Sequence, residues 1–117
     1  MIKLYHNPRC SKSKEALNLL QERLPISAFQ VREYLKKPLD LAELKALQAR
    51  LAVPVRELLR SGEQAYWELD LANEAKTDDE LLAAIAAHPK LLQRPIVVSD
   101  DKALIARPPE LLLQLLP

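Results

Sequence analysis

The sequence predicts an α/β fold in which a β-α-β unit and a closing β-β-α unit flank a block of helices. Three observations carry this. Short alternating segments at 2–5 and 28–32 enclose a stretch with helical spacing, the middle of the chain holds two N-cap signatures, and short apolar strands return near the end.

The elements follow in order. Residues 2–5, IKLY, alternate apolar and polar and read as a strand. From Ser11 the period changes: Ala16, Leu17, Leu20 and Leu24 line one helical face, and Pro25 closes it. Residues 28–32, AFQVR, return to period two, completing the order of a right-handed crossover unit. Asp40 with Glu43 forms a capping box, with Asp in place of Ser or Thr, ahead of a buried stripe of Leu44, Leu47 and Leu51. Pro54 opens a short helix through Leu59, where its missing N–H costs nothing. Thr77 and Glu80 form a second capping box before LLAAIAAH, which Pro89 terminates.

Residues 96–98, IVV, then read as a buried strand, Asp100–Asp101 as a turn, and 103–106, ALIA, as a strand. Pro108 starts a final helix, PELLLQLL. That order, with a cysteine just after the first strand, predicts a single thioredoxin-like domain over 1–117 with a helical insertion at about 40–90.

Composition removes several function classes. Aromatic residues are 4% of the chain, too few for stacking platforms that bind single-stranded nucleic acid. The single glycine, Gly62, excludes Gly-rich phosphate loops. Seventeen basic against 16 acidic residues make no general polyanion surface, so any anion site has to be local. No apolar run is long enough to span a bilayer, and MIKLYHNPRC lacks the apolar core of a signal peptide. The expectation is a cytoplasmic protein with reduced thiols, and no membrane or nucleic-acid partner. Cys10, His6 and His88 form no recognised metal spacing, so no metal is expected.

Cys10 is the only cysteine, inside YHNPRCSKS at residues 5–13. A Cys-x-x-Cys redox motif would need a second cysteine at position 13, where Ser13 stands. A thiol attacks only as thiolate, and the free cysteine pKa is about 8.5. A helix start helps, because its free N–H groups and dipole favour negative charge. A dipole contribution of roughly 0.3–2 kcal/mol amounts to about 0.2–1.5 pKa units. Arg9, Lys12 and Lys14 could supply the rest, and the Ser11 or Ser13 hydroxyls could donate hydrogen bonds. The same features bind an oxyanion. Against this stands the reading of a lone cysteine as a small buried hydrophobe. The polar, basic flanks bring the reactive and inert readings to balance.

YHNPRCSKS, followed by VRELLRSG, QRPIVV and ARPPE, resembles the thioredoxin-fold arsenate reductases of the ArsC type, which work with glutathione and glutaredoxin. The resemblance covers nearly the whole chain, with His6, Asn7, Pro8 and Cys10 matching a His-Asn-Pro-x-Cys start. It implies that Cys10 is the nucleophile that forms a thiol–arsenate adduct, and that Arg60, Arg94 and Arg107 hold the oxyanion. Together with the local reading of the helix start, it makes His6, Asn7, Ser11, Lys12 and Ser13 the group expected to bind substrate or stabilise the thiolate. It implies a cis peptide bond before Pro95, and glutathione as co-substrate with no bound cofactor. Without the resemblance, each arginine reads as solvated surface. His6 resembles a family histidine near the cysteine that helps keep it ionised, a reading balanced against plain polar surface at a strand end. His88 reads as a helix-terminus residue, and Tyr66 and Trp67 as core or interface.

Two features depart from the family. Ser11–Lys12–Ser13 stands where reductases of this type often have Gly–Thr–Ser, and the chain stops at Pro117, short of the longer members. Both resemble a short, less characterised branch. Two alternatives accompany the arsenate reading: a glutathione-dependent thiol reductase with another substrate, and an Spx-like regulator that binds RNA polymerase without turnover. Ser13 in place of a second cysteine and the full arginine set count against the regulator.

Overall fold

The computed structural model describes residues 1–117. It divides into two compact units, one of residues 1–37 with 94–117 and one of residues 38–93.

The first unit is a four-stranded mixed sheet in the order β2-β1-β3-β4, with strands β1 (Ile2–His6), β2 (Phe29–Glu33), β3 (Ile96–Val98) and β4 (Ala103–Ile105). Helix α1 (Ser11–Arg23) connects β1 to β2, which run parallel with Ile2 opposite Phe29 and His6 opposite Glu33. β3 returns antiparallel to β1, Tyr5 facing Ile96, and pairs antiparallel with β4. Ile2, Leu4, Ala16, Leu20, Phe29 and Val97 form the core between sheet and helix. The all-apolar IVV of β3 is buried throughout, as expected of a central strand.

The C-terminal segment is not the α-helix expected from Pro108 but a 3-10 helix, Pro109–Leu115. Pro108 takes the N-cap in extended conformation, and the Leu111 amide bonds back to its carbonyl three residues away. The tighter winding buries Leu112 and leaves the other leucines partly covered.

In the second unit both capping boxes form. The Glu43 amide donates to Asp40 Oδ1 at 2.8 Å and the Asp40 amide to Glu43 Oε1 at 3.1 Å, opening α2 (Leu41–Leu51). Thr77 and Glu80 do the same at 3.1 Å each for α4 (Asp78–Ala87). Leu44, Leu47 and Leu51 are buried as their spacing requires, with Leu81, Leu82 and Ile85 on α4. The segment after Pro54 is again a 3-10 helix, Val55–Leu58, with the proline at its N-cap. Arg56 donates to the carbonyls of Leu71 and Asn73, both at 2.7 Å. On α3 (Gln64–Glu68), Tyr66 and Trp67 stack edge-on with ring centroids 5.1 Å apart. Trp67 is not core: 65% of it is exposed. His88 is the exposed C-cap of α4. No helix is long and apolar enough to cross a membrane.

Candidate active site

β1 ends at His6, and a tight turn carries the chain into α1. Asn7 builds that turn: its carbonyl accepts the Cys10 amide at 3.0 Å, and its side-chain Oδ1 accepts the Arg9 amide at 3.0 Å. Pro8 takes the position after the turn's first residue, where a fixed φ is favoured. Cys10 is therefore the N-cap of α1, with extended dihedrals, and its carbonyl accepts the first helical bond, from Lys14, at 3.0 Å. Asn7 shapes the loop through both its carbonyl and its side-chain oxygen.

The thiol is largely buried, with 9% of the residue exposed. Burial opposes ionisation. The Ser13 amide, the charge of Arg94, the Lys12 amide and a hydrogen bond from the Arg94 guanidinium act the other way and prevail. The thiol consequently lies below its ordinary pKa. The cation responsible is Arg94, from the far end of the chain, and not the neighbours Arg9, Lys12 and Lys14. The Lys12 ammonium turns to Glu15 at 3.6 Å, and Lys12 helps the sulfur only through its backbone. Ser11 is exposed at the first helical position.

Sheet topology explains how Arg94 arrives. Ile96 pairs with Tyr5 in the antiparallel register, so the two residues before Ile96 run past the end of β1 toward the turn that holds Cys10. The Arg94–Pro95 bond is cis, as is Arg107–Pro108. Arg107 follows β4, which pairs with β3, and its guanidinium donates to the Arg94 carbonyl at 3.2 Å. The two arginines thus sit on adjoining strand ends, Arg107 exposed and Arg94 half-buried. Arg94 Nε is shielded from water and has no hydrogen-bond acceptor.

Arg60 belongs to the second unit. Its guanidinium pairs with Glu63 at 2.7 Å and reaches the Lys90 carbonyl at 3.3 Å, while its amide donates to the Leu91 carbonyl at 2.8 Å.

His6 and Ser13 form a buried pair. His6 is 5% exposed and Ser13 is fully buried, with His6 Nδ1 and Ser13 Oγ 2.6 Å apart. The same oxygen accepts the Asn7 amide at 2.9 Å. His6 is therefore not polar surface, and the Ser13 hydroxyl serves His6 and Asn7 rather than the sulfur. Burial lowers the His6 pKa, Glu33 across the sheet works against this, and Lys14 adds to it. The ring is accordingly a neutral bridge between β1 and α1. Ser13 lies three residues before Ala16 and seven before Leu20, on the same helical stripe, and that spacing is the signal that marks it as buried.

No group of three or more His, Cys, Asp or Glu side chains converges to hold a metal ion. Chemically, the site is a lowered-pKa thiol at a helix start, with the Arg94 guanidinium beside it.

The ArsC family model matches residues 5–115. The chain is 49% identical over 110 residues to an arsenate reductase of Neisseria meningitidis serogroup A, covering 93% of this chain and 92% of that one. It is 46% identical over 115 residues to the Escherichia coli K12 uncharacterized protein YfgD, covering 97% and 95%. Among solved structures, an arsenate reductase from Vibrio cholerae superposes with a TM-score of 0.93 at 44% identity, covering 98% of this chain and 97% of that one.

Proposed function

The chain belongs to the ArsC family, and on that premise we propose that it is an arsenate reductase that uses Cys10 as nucleophile and draws its electrons from glutathione. The single observation that carries the reading is the Cys10–Arg94 pair: a thiol held below its ordinary pKa, with the Arg94 guanidinium among the groups that lower it. An arsenate oxygen bound to the guanidinium's terminal nitrogens brings the arsenic within reach of the sulfur.

The reaction then runs in three steps. The Cys10 thiolate attacks As(V), an S–As bond forms, and an arsenate oxygen leaves as water after protonation. A glutathione thiolate next attacks the Cys10 sulfur. The electron pair of the S–As bond stays on arsenic, which becomes As(III) and departs as arsenite, while the two sulfurs are left as a mixed disulfide. Glutaredoxin exchanges that disulfide and returns the Cys10 thiolate.

Positive charge is needed twice, first to let the thiolate approach an anion and then to stabilise the charged adduct. Arg94 and Arg107 supply it from adjoining strand ends. Arg60 enters the clamp through the family resemblance alone. A lone cysteine suffices because both resolving thiols come from other molecules.

The test is arsenate-dependent NADPH oxidation, coupled through glutathione, glutathione reductase and glutaredoxin, with a Cys10→Ser control. Turnover that requires both arsenate and Cys10 supports the reading. Folded protein with a readily alkylated Cys10 and no turnover overturns arsenate as substrate. Omitting glutaredoxin separates its contribution from that of glutathione.

A further inference from the structure

A groove of about 570 Å³ runs beside β2, lined by residues 30–33 together with Lys3, Lys36 and Lys37. Successive strand residues point to opposite faces of a sheet. Lys3 stands on β1 opposite Gln30, so the groove lies on the face that carries Gln30 and Arg32 and reaches across β2. β2 is an end strand, paired with β1 alone. In a parallel pair, alternate residues turn their N–H and C=O groups away from the partner, and here they turn to the side of β2 that has no neighbouring strand. Val31 is apolar yet 43% exposed at this edge.

The walls are cationic. Lys3 lies opposite Gln30 in the register, on the Arg32 face, and Lys36 and Lys37 stand on the turn after the strand. That turn is clipped back by Arg32, whose Nε donates to the Lys37 carbonyl at 3.0 Å. Glu33 is the one acid of the lining, and Lys36 stands 3.6 Å from it.

We propose that this edge receives an extended acidic segment of a partner protein, which adds a strand beside β2. Backbone groups give such a segment its register, and alternate side chains give it specificity. Acidic residues would fall toward Lys3 and Arg32, and apolar residues in between would fall toward Val31. A second copy of this chain is a poor occupant, because it sets the same cations against one another.

The experiment is an NMR titration of the full-length, 15N-labelled protein with a blocked heptapeptide of alternating glutamate and valine. Expected are amide shifts confined to Lys3 and residues 29–37, slowed amide exchange in β2, and about tenfold weaker binding by the Lys36→Glu, Lys37→Glu double variant. Of two peptides, one N-methylated at its valines and one at its glutamates, the one whose methylated amides face β2 cannot complete the ladder and is expected to lose binding. No shifts at millimolar peptide overturn the proposal and leave the lysines as guards against pairing. Undiminished binding of both N-methylated peptides, or equal binding of a lysine–valine peptide, overturns it as well. So does a concentration-dependent dimer through β2 in the absence of peptide.

Discussion

His6 Nδ1 and Ser13 Oγ lie 2.6 Å apart inside the protein, joining the end of the central strand to the first turn of the helix that follows it. Removing the hydroxyl leaves the imidazole nitrogen and the Asn7 amide without their partner. Ser13→Ala is therefore expected to cost about 1–3 kcal/mol, read from urea unfolding followed by circular dichroism. The midpoint of Cys10 alkylation against pH should stay nearly where it was, because it is the backbone amide of residue 13, which the variant keeps, that favours the thiolate. A large rise in that midpoint would assign the role to the hydroxyl.

Arg94 governs the thiol directly. Alkylation of wild-type Cys10 should have its midpoint below about 8.5, the value of a free cysteine. Arg94→Ala should move it upward, since a charge and a hydrogen bond that favour the thiolate are lost together. An unchanged midpoint in that variant would remove Arg94 from the thiolate's surroundings.

Arg94→Lys tests shape separately from charge. Lysine keeps the positive charge but cannot make a planar, two-point contact with an oxyanion. A hydrogen bond to a charged group is worth about 1.5–3 kcal/mol, so kcat/KM for arsenate should fall by about 10–150-fold. Equal kcat/KM in variant and wild type would exclude a bidentate role.

The buried His6 makes stability depend on pH. Its pKa in the folded protein is lowered, so below about 6.5 the unfolded chain takes up a proton that the folded chain resists. Its share of stability is complete above that pH and declines as the pH falls toward the folded-state value. Urea midpoints at pH 7.5 and pH 5.0 should therefore separate more for wild type than for His6→Gln. Equal separations would mean that the ring titrates freely in the folded state.

The capping box of α2 offers a control away from the thiol. Asp40→Ala removes the acceptor for the Glu43 amide and should cost about 0.5–2 kcal/mol in urea unfolding.

What the sequence revealed was whatever is encoded locally. Asp40 with Glu43 and Thr77 with Glu80 announce helix starts through bonds spanning three residues, and both starts are present. Strand β3 was legible as an unbroken apolar run. The 3-10 winding after Pro109 was not, because a short leucine-rich stretch fits either helix and its packing decides between them. At the site, Cys10 and its helix start could be read from YHNPRCSKS, but proximity in sequence pointed to Lys12 and Lys14. The guanidinium that reaches the sulfur comes from Arg94, placed there by the antiparallel register of β3 on β1. Charge alone could not announce that. Ser13 hid in the polar run, although its helical spacing from Ala16 and Leu20 marked it as buried.

The first unit is discontinuous along the chain: residues 1–37 carry Cys10, and residues 94–117 carry the arginine beside it. Chains are made from the N-terminus, so a nascent chain shorter than 94 residues has the cysteine and its helix but no guanidinium next to the sulfur. Until those residues are made, the sulfur has the Ser13 and Lys12 amides of its own helix start but not the charge of Arg94. That charge joins the thiol only when β3 is laid against β1, so the full electrostatic setting of position 10 is assembled late in synthesis.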